Sequence, residues 1–217
     1  MKKMSLGETV VTRKTSLGEL IANAVSHGIG FGLAIAALVL LVVKADGLAE
    51  ILSSVAFGVS MIVLYLSSTL LHSFPDKMKT TKDVFRRFDH SSIFILIAGT
   101  YTPFLVLLVG TTEAYMLLIG LWVITLIGII FKSIWAEKYM AVSVVIYLLM
   151  GWSFVLVSKD VFTGLGTEVF YLVFGGILYT VGVLFFISKF KYSHFVWHIF
   201  VLGGTFFHFI CVYGYLL

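Results

Sequence analysis

Seven long apolar runs, set apart by short charged or polar breaks, dominate the chain. They fall at about 20–43, 49–71, 88–109, 114–132, 139–158, 168–188 and 194–216. Each has about the 20 residues that an α-helix needs to cross ~30 Å of hydrocarbon. The breaks run from Lys44 to Glu50, Pro75 to Arg87, Gly110 to Glu113, Ile134 to Lys138, Lys159 to Thr167 and Lys189 to Tyr192. The runs are continuously apolar instead of alternating with polar residues, which excludes a transmembrane β-barrel. The pattern predicts an all-α integral membrane protein with seven transmembrane helices, organised as a leader at 1–19 and one seven-helix domain at 20–217. The opening residues are polar and mixed in charge, without the short apolar core and cleavage site of a signal peptide, so the first run is expected to persist as a span.

Composition agrees: 60% of the residues are hydrophobic and 12% charged, against about 25% charged in a soluble domain. The net charge of +4 raises the question of nucleic acid, and the placement of the charges answers it. With the N-terminus inside, the cytoplasmic segments hold Lys2, Lys3, Arg13, Lys14, Lys77, Lys79, Lys82, Arg86, Arg87, Lys132, Lys138, Lys189 and Lys191. Only Lys44 and Lys159 fall outside. That asymmetry is a topology signal, predicting a cytoplasmic N-terminus and an external C-terminus, with no nucleic-acid partner. A single cysteine, Cys211, excludes an internal disulfide and a thiolate zinc cluster; in its apolar setting an inert, buried thiol is expected.

Ionisable groups at or within spans are expensive and call for a function. The second span ends Ser68-Thr69-Leu70-Leu71-His72, the third begins Phe88-Asp89-His90-Ser91, and the seventh begins His194-Phe195-Val196-Trp197-His198 and later contains His208. His194 and His198 are i, i+4 and share a helical face; Ser68 and His72 have the same spacing. The topology puts the end of the second span and the starts of the third and seventh on the cytoplasmic side. Three histidines with an open position make the ligand set of a catalytic zinc site, where a bound water reaches a pKa near 7. Asp89 is the candidate general base, and Ser68 can hydrogen-bond the water or a developing oxyanion. The bland alternative is that these groups pair across helices or face headgroup water.

Other positions read more simply. His90 is expected to face away from Asp89 in an interfacial role, and His208, near mid-bilayer, to make an interhelical hydrogen bond. Glu19, Asn23 and His27, spaced i, i+4, i+8, either line the same mouth or pair structurally. Pro103 should kink the third span by freeing the Gly99 carbonyl.

Ser68-xxx-His72, the Phe88-Asp89-His90-Ser91-Ser92 start of the third span, and His194-xxx-His198 resemble the signature of bacterial haemolysin III proteins, which belong with the progestin and adipoQ receptor family that includes the adiponectin receptors. The leader around Glu19, Asn23, Ser26, His27 and Gly28 resembles the bacterial branch. This resemblance implies residence in a bacterial plasma membrane, zinc held by His72, His194 and His198, an acid at Asp89 contacting the zinc-bound water, and Ser68 close by. A wider relation to alkaline ceramidases suggests hydrolysis of lipid amides or esters, with membrane lipids as partners. Two further expectations stand beside that one: a lipid or membrane-state receptor with structural zinc, and cytolysis. The sequence gives cytolysis little support, having no secretion signal and no barrel pattern. A proton-coupled transporter is disfavoured because the ionisable groups gather at one end.

Overall fold

A computed structural model describes residues 15–217; the basic residues Lys2, Lys3, Arg13 and Lys14 lie outside the described residues. Eight α-helices follow one another: α1 (Leu17–Lys44), α2 (Leu48–Ser73), α3 (Lys79–Pro103), α4 (Thr112–Ile134), α5 (Met140–Gly151), α6 (Ser158–Leu165), α7 (Val169–Phe186) and α8 (Ser193–Cys211). With short 3₁₀ and π segments they make seven stretches long and apolar enough to cross a membrane, α5 and α6 sharing the fifth. No strand occurs among the described residues. The protein is an all-α, multi-pass membrane protein.

The first helix shows how the bundle is specified. Ser16 caps it and forms a reciprocal capping box with Glu19, satisfying amides that a helix start leaves without partners. Its buried residues are Glu19, Asn23, Ser26, His27, Gly30, Ala34, Ala37 and Leu41, one stripe that is polar at one end and small and apolar at the other. Large side chains at Ile21, Val25, Ile29 and Leu33 point outward. In a bilayer this inversion is the stable arrangement, because hydrocarbon outside rewards nothing polar.

α1 packs on α2, α2 on α3, and α7 on α8, while α8 closes back on α1. Small residues set these approaches. A Cβ at Gly99 would come within 2.9 Å of the Ala56 carbonyl oxygen and would collide with Ser60; a Cβ at Gly128 would lie 2.6 Å from the Phe94 ring. Within the bundle, Tyr65 donates to Thr205 Oγ1 at 2.8 Å, Tyr179 pairs with the same oxygen at 2.6 Å, and Thr205 donates to the Val201 carbonyl at 2.9 Å.

Three features depart from the hydropathy reading. The segment expected to break the chain from Pro75 to Arg87 is helical from Lys79, so α3 starts nearly three turns before Asp89. Charge ends an apolar run but does not end a helix; here Arg86 pairs with Asp83 at 2.6 Å and with Glu137 at 2.9 Å. The fifth stretch extends to Leu165, past the expected end near 158, and is interrupted: α5 ends at Gly151, a 3₁₀ segment follows, and α6 resumes the path. The break is repaired by Tyr101, whose hydroxyl donates to the Gly151 carbonyl at 2.7 Å and accepts from the Phe154 amide at 2.9 Å. After Pro103, α3 passes into a π-helical turn at Phe104–Val109, the form taken here by the expected proline disruption. That turn closes at Gly110, whose φ of 63° lies in the region glycine occupies without steric cost.

Candidate metal centre

His72 is the penultimate residue of α2; His194 and His198 lie one turn apart at the start of α8. One ring nitrogen from each lies within 4.8 Å of those of the other two. The ring centroids are 5.0 Å apart for His72 and His194, 5.2 Å for His72 and His198, and 4.7 Å for His194 and His198. The three histidines singled out by spacing and topology are thus brought together.

α1 supplies the backing. His198 Nδ1 lies 3.2 Å from the Asn23 carbonyl oxygen and 3.0 Å from Ser26 Oγ, while Ser26 donates to that carbonyl at 3.0 Å. A carbonyl only accepts, so His198 carries its proton on Nδ1 and keeps its Nε2 lone pair free. His72 Nε2 is buried and has no protein partner, and its Nδ1 stands 3.5 Å from the Asn23 amide. Asn23 Oδ1 is likewise without a partner. A half-turn of that amide makes Oδ1 the acceptor of His72 Nδ1–H, the second hydrogen bond that a metal-binding imidazole usually has. Asn23 therefore supports two of the three histidines at once.

Glu19 sets the third. Its Oε1 accepts the Tyr192 amide at 2.9 Å, while its Oε2 accepts Ser16 Oγ at 2.8 Å. Tyr192 takes a φ of 64° in the turn that opens α8, so the carboxylate ties the start of α1 to the turn before His194. The set fits a zinc ion: three imidazoles, an unpartnered His72 Nε2 and a His198 tautomer fixed for Nε2 ligation.

Asp89 does not join that set. It lies on α3, near the Ser68 hydroxyl of α2 and the Arg86 guanidinium. Ser68, four residues before His72, is 1% exposed, so the hydroxyl and the histidine share one face of α2. His90 turns elsewhere: its Nδ1 bonds the Ala136 carbonyl at 2.9 Å, and Tyr147 donates to the His90 carbonyl at 2.8 Å. His208 donates from Nε2 to the Leu172 carbonyl of α7 at 3.0 Å, an interhelical bond. Cys211 is buried, with its sulfur turned to the Glu168 carbonyl.

Three residues of the site carried weaker sequence signals. Asn23 and His27 sit on the Glu19 stripe, whose periodicity points inward without saying what it meets. Ser26 is one position off that stripe; the sequence singles it out only through the resemblance of the leader, and its burial on α1 turns it to the site.

An apolar cavity of about 110 Å³ lies beside the centre. Leu64, Ile93, Tyr147, Phe186, Trp197 and His208 are among its walls, and the Phe186 ring is 5.9 Å from that of His194. Residues 18–209 match the family described as haemolysin-III related. The chain is 45% identical over 205 residues to the "Hemolysin-3 homolog" of Bacillus subtilis (strain 168), covering 92% of this chain and 95% of that protein. It is 42% identical over 213 residues to "Hemolysin-3" of Bacillus cereus, covering 95% and 96%. To the human "Monocyte to macrophage differentiation factor" it is 29% identical over 209 residues, covering 94% and 87%.

Proposed function

The chain belongs to the haemolysin-III-related family, and we propose that it is a zinc-dependent hydrolase of lipid amides or esters, working at the cytoplasmic side of a bacterial plasma membrane. The observation that carries this reading is the meeting of the three histidines, with Asp89 and Ser68 near each other on the neighbouring helices, beside an apolar cavity.

In this reading His72, His194 and His198 hold the ion. Zinc bound there supplies a Lewis acid that brings water near neutrality in pKa. Asp89 accepts the proton of the attacking water on a carboxylate oxygen and returns it to the leaving group. Ser68 stands near Asp89, and its hydroxyl turns to the oxygen on which charge develops. Asn23, Ser26 and Glu19 fix the imidazoles, and the apolar cavity receives hydrocarbon and keeps bulk water from the carbonyl. The basic segments between spans, Lys77 to Arg87 above all, support a cytoplasmic position for this end of the bundle.

A second reading has its own support. His72 and the α8 histidines join two helices, and Asn23 binds α1 to both, so an ion here staples three helices as a structural zinc in a lipid sensor. Purified protein assayed for zinc content and for turnover of a panel of ceramides and acyl amides separates the two. For the hydrolase, Asp89→Asn keeps stoichiometric zinc and loses turnover by about 10²-fold or more, while His198→Ala loses both. Full zinc with no turnover of any panel member by the wild type sinks the hydrolase and leaves the sensor. Dye release from liposomes by purified protein would support cytolysis over both.

A further inference from the structure

His208 takes no part in the chemistry above, yet it is 7% exposed and lies in the same cavity wall as Thr100, which is 6% exposed. His208 Nε2–H donates to the Leu172 carbonyl, so its Nδ1 carries a lone pair, and that atom has no partner. Thr100 Oγ1 has none either. The ring is seated by Gly175, where a Cβ would collide with the Cδ2–Nε2 edge of His208 and come 3.0 Å from the Gly204 carbonyl oxygen. The Nδ1 edge therefore stands away from α7. Gly151 and Gly176 line the cavity at this level, and a Cβ on either would meet nothing within 4 Å. An acceptor and a hydroxyl left without partners in an apolar wall are costly unless something pairs with them.

We propose that Thr100 and His208 form a subsite for a hydroxyl group carried partway along the hydrocarbon chain of a lipid lodged in this cavity. A hydroxyl offers what each group lacks: a proton for His208 Nδ1 and an acceptor oxygen for Thr100. A carbonyl or ether oxygen can answer only Thr100, and a carboxylate would bring uncompensated charge into an apolar wall. The ten residues from His198 to His208 rise about 15 Å along α8, the reach of an extended chain of roughly a dozen carbons. Both side chains lean toward the start of the helix, so that separation carries over to their tips. The inference rests on the reading that a lipid chain enters the cavity with its head at the histidines; it does not require hydrolysis.

Trp152 and Trp197 line the cavity, so 9,10-dibromostearamide bound there quenches tryptophan fluorescence and unlabelled amides are ranked by displacing it. For the wild type, 12-hydroxystearamide should displace the quencher about tenfold more tightly than stearamide or 2-hydroxystearamide. Thr100→Val, nearly isosteric, should cut that preference to about threefold, and His208→Phe should abolish it, so that the three amides displace the quencher equally. Equal displacement by all three amides in the wild type overturns the subsite and leaves the two groups paired with buried water only. A preference that survives in both variants overturns it as well. Absence of quenching overturns the inference together with the lipid reading on which it rests.

Discussion

His27 lies flat against His198, with ring centroids 3.5 Å apart and planes within 8° of each other. Tyr65 also meets it edge-on, with ring centroids 5.1 Å apart. Both His27 nitrogens lack partners, so the contribution visible in the structure is that of a flat, close-packed surface. His27→Phe should therefore keep His198 upright and retain stoichiometric zinc, whereas His27→Ala opens a void beside the ligand and should weaken zinc by about tenfold or more. Titration against a chromophoric chelator reads both. Loss of zinc in His27→Phe equal to that in His27→Ala would show that the imidazole nitrogens, not the ring surface, are what the site uses.

Asn23 touches two of the three histidines, one through its carbonyl and one through its amide. Only the amide is removed by Asn23→Ala. That variant should cost about 10- to 100-fold in zinc affinity, and the loss should arise at His72. Asn23→Ala combined with His72→Ala should then bind zinc no more weakly than His72→Ala alone, a non-additivity expected of groups acting as one unit. Full additivity would place the role of Asn23 elsewhere.

Hydropathy located all seven spans and, through the lysine and arginine asymmetry, proposed which ends share a side. That was enough to group His72, His194 and His198 before any contact was known, because i, i+4 spacing and helix polarity fix which side chains can converge. It was blind where backbone and solvent part company. Lys79 to Arg87 is too charged for hydrocarbon yet good helix in water, so α3 began earlier than apolarity implied. The break at Gly151 was hidden because its repair comes from Tyr101, fifty residues away in sequence. Spacing puts Asn23 at the same mouth and the resemblance of the leader includes Ser26, but their contacts run through a carbonyl and a hydroxyl to a helix at the far end of the chain, and no local pattern encodes the partner.

Tyr101→Phe should test that repair. Removing one hydroxyl strands both the Gly151 carbonyl and the Phe154 amide, at a cost of about 2 kcal/mol or more. The expected result is a lowered melting temperature with zinc content unchanged. A melting temperature equal to the wild type would mean that the fifth span satisfies its own break.

Gly99 and Gly32 make a matched pair for helix packing. A Cβ at Gly99 would meet the Ala56 carbonyl oxygen at 2.9 Å, an immovable backbone atom, whereas a Cβ at Gly32 meets nothing within 4 Å. Gly99→Ala should destabilise by about 1–3 kcal/mol by forcing α2 and α3 apart. Gly32→Ala should be neutral or stabilising by about 0.5–1 kcal/mol through helix propensity. Thermal unfolding in one detergent compares them directly, and equal effects would refute the packing argument.

Chelation bears on the centre as a whole. His72 lies on α2, His194 and His198 on α8, and the groups that brace them on α1, so an ion held by the folded set joins three helices that separate on unfolding. A ligand that binds only the folded state stabilises it by RT ln(1 + [L]/Kd), about 2.7 kcal/mol at a hundredfold excess over Kd. Dipicolinate should accordingly lower the melting temperature of purified protein by several degrees, and added zinc should restore it. His194→Ala should start from the lowered value and respond to neither reagent, because two imidazoles hold the ion too weakly to matter at that concentration. Asp89→Asn should respond as the wild type does, since Asp89 stands outside the ligand set. A variant without His194 that still gains stability from zinc would move the ion off these three residues, and with it the chemistry proposed for Asp89 and Ser68.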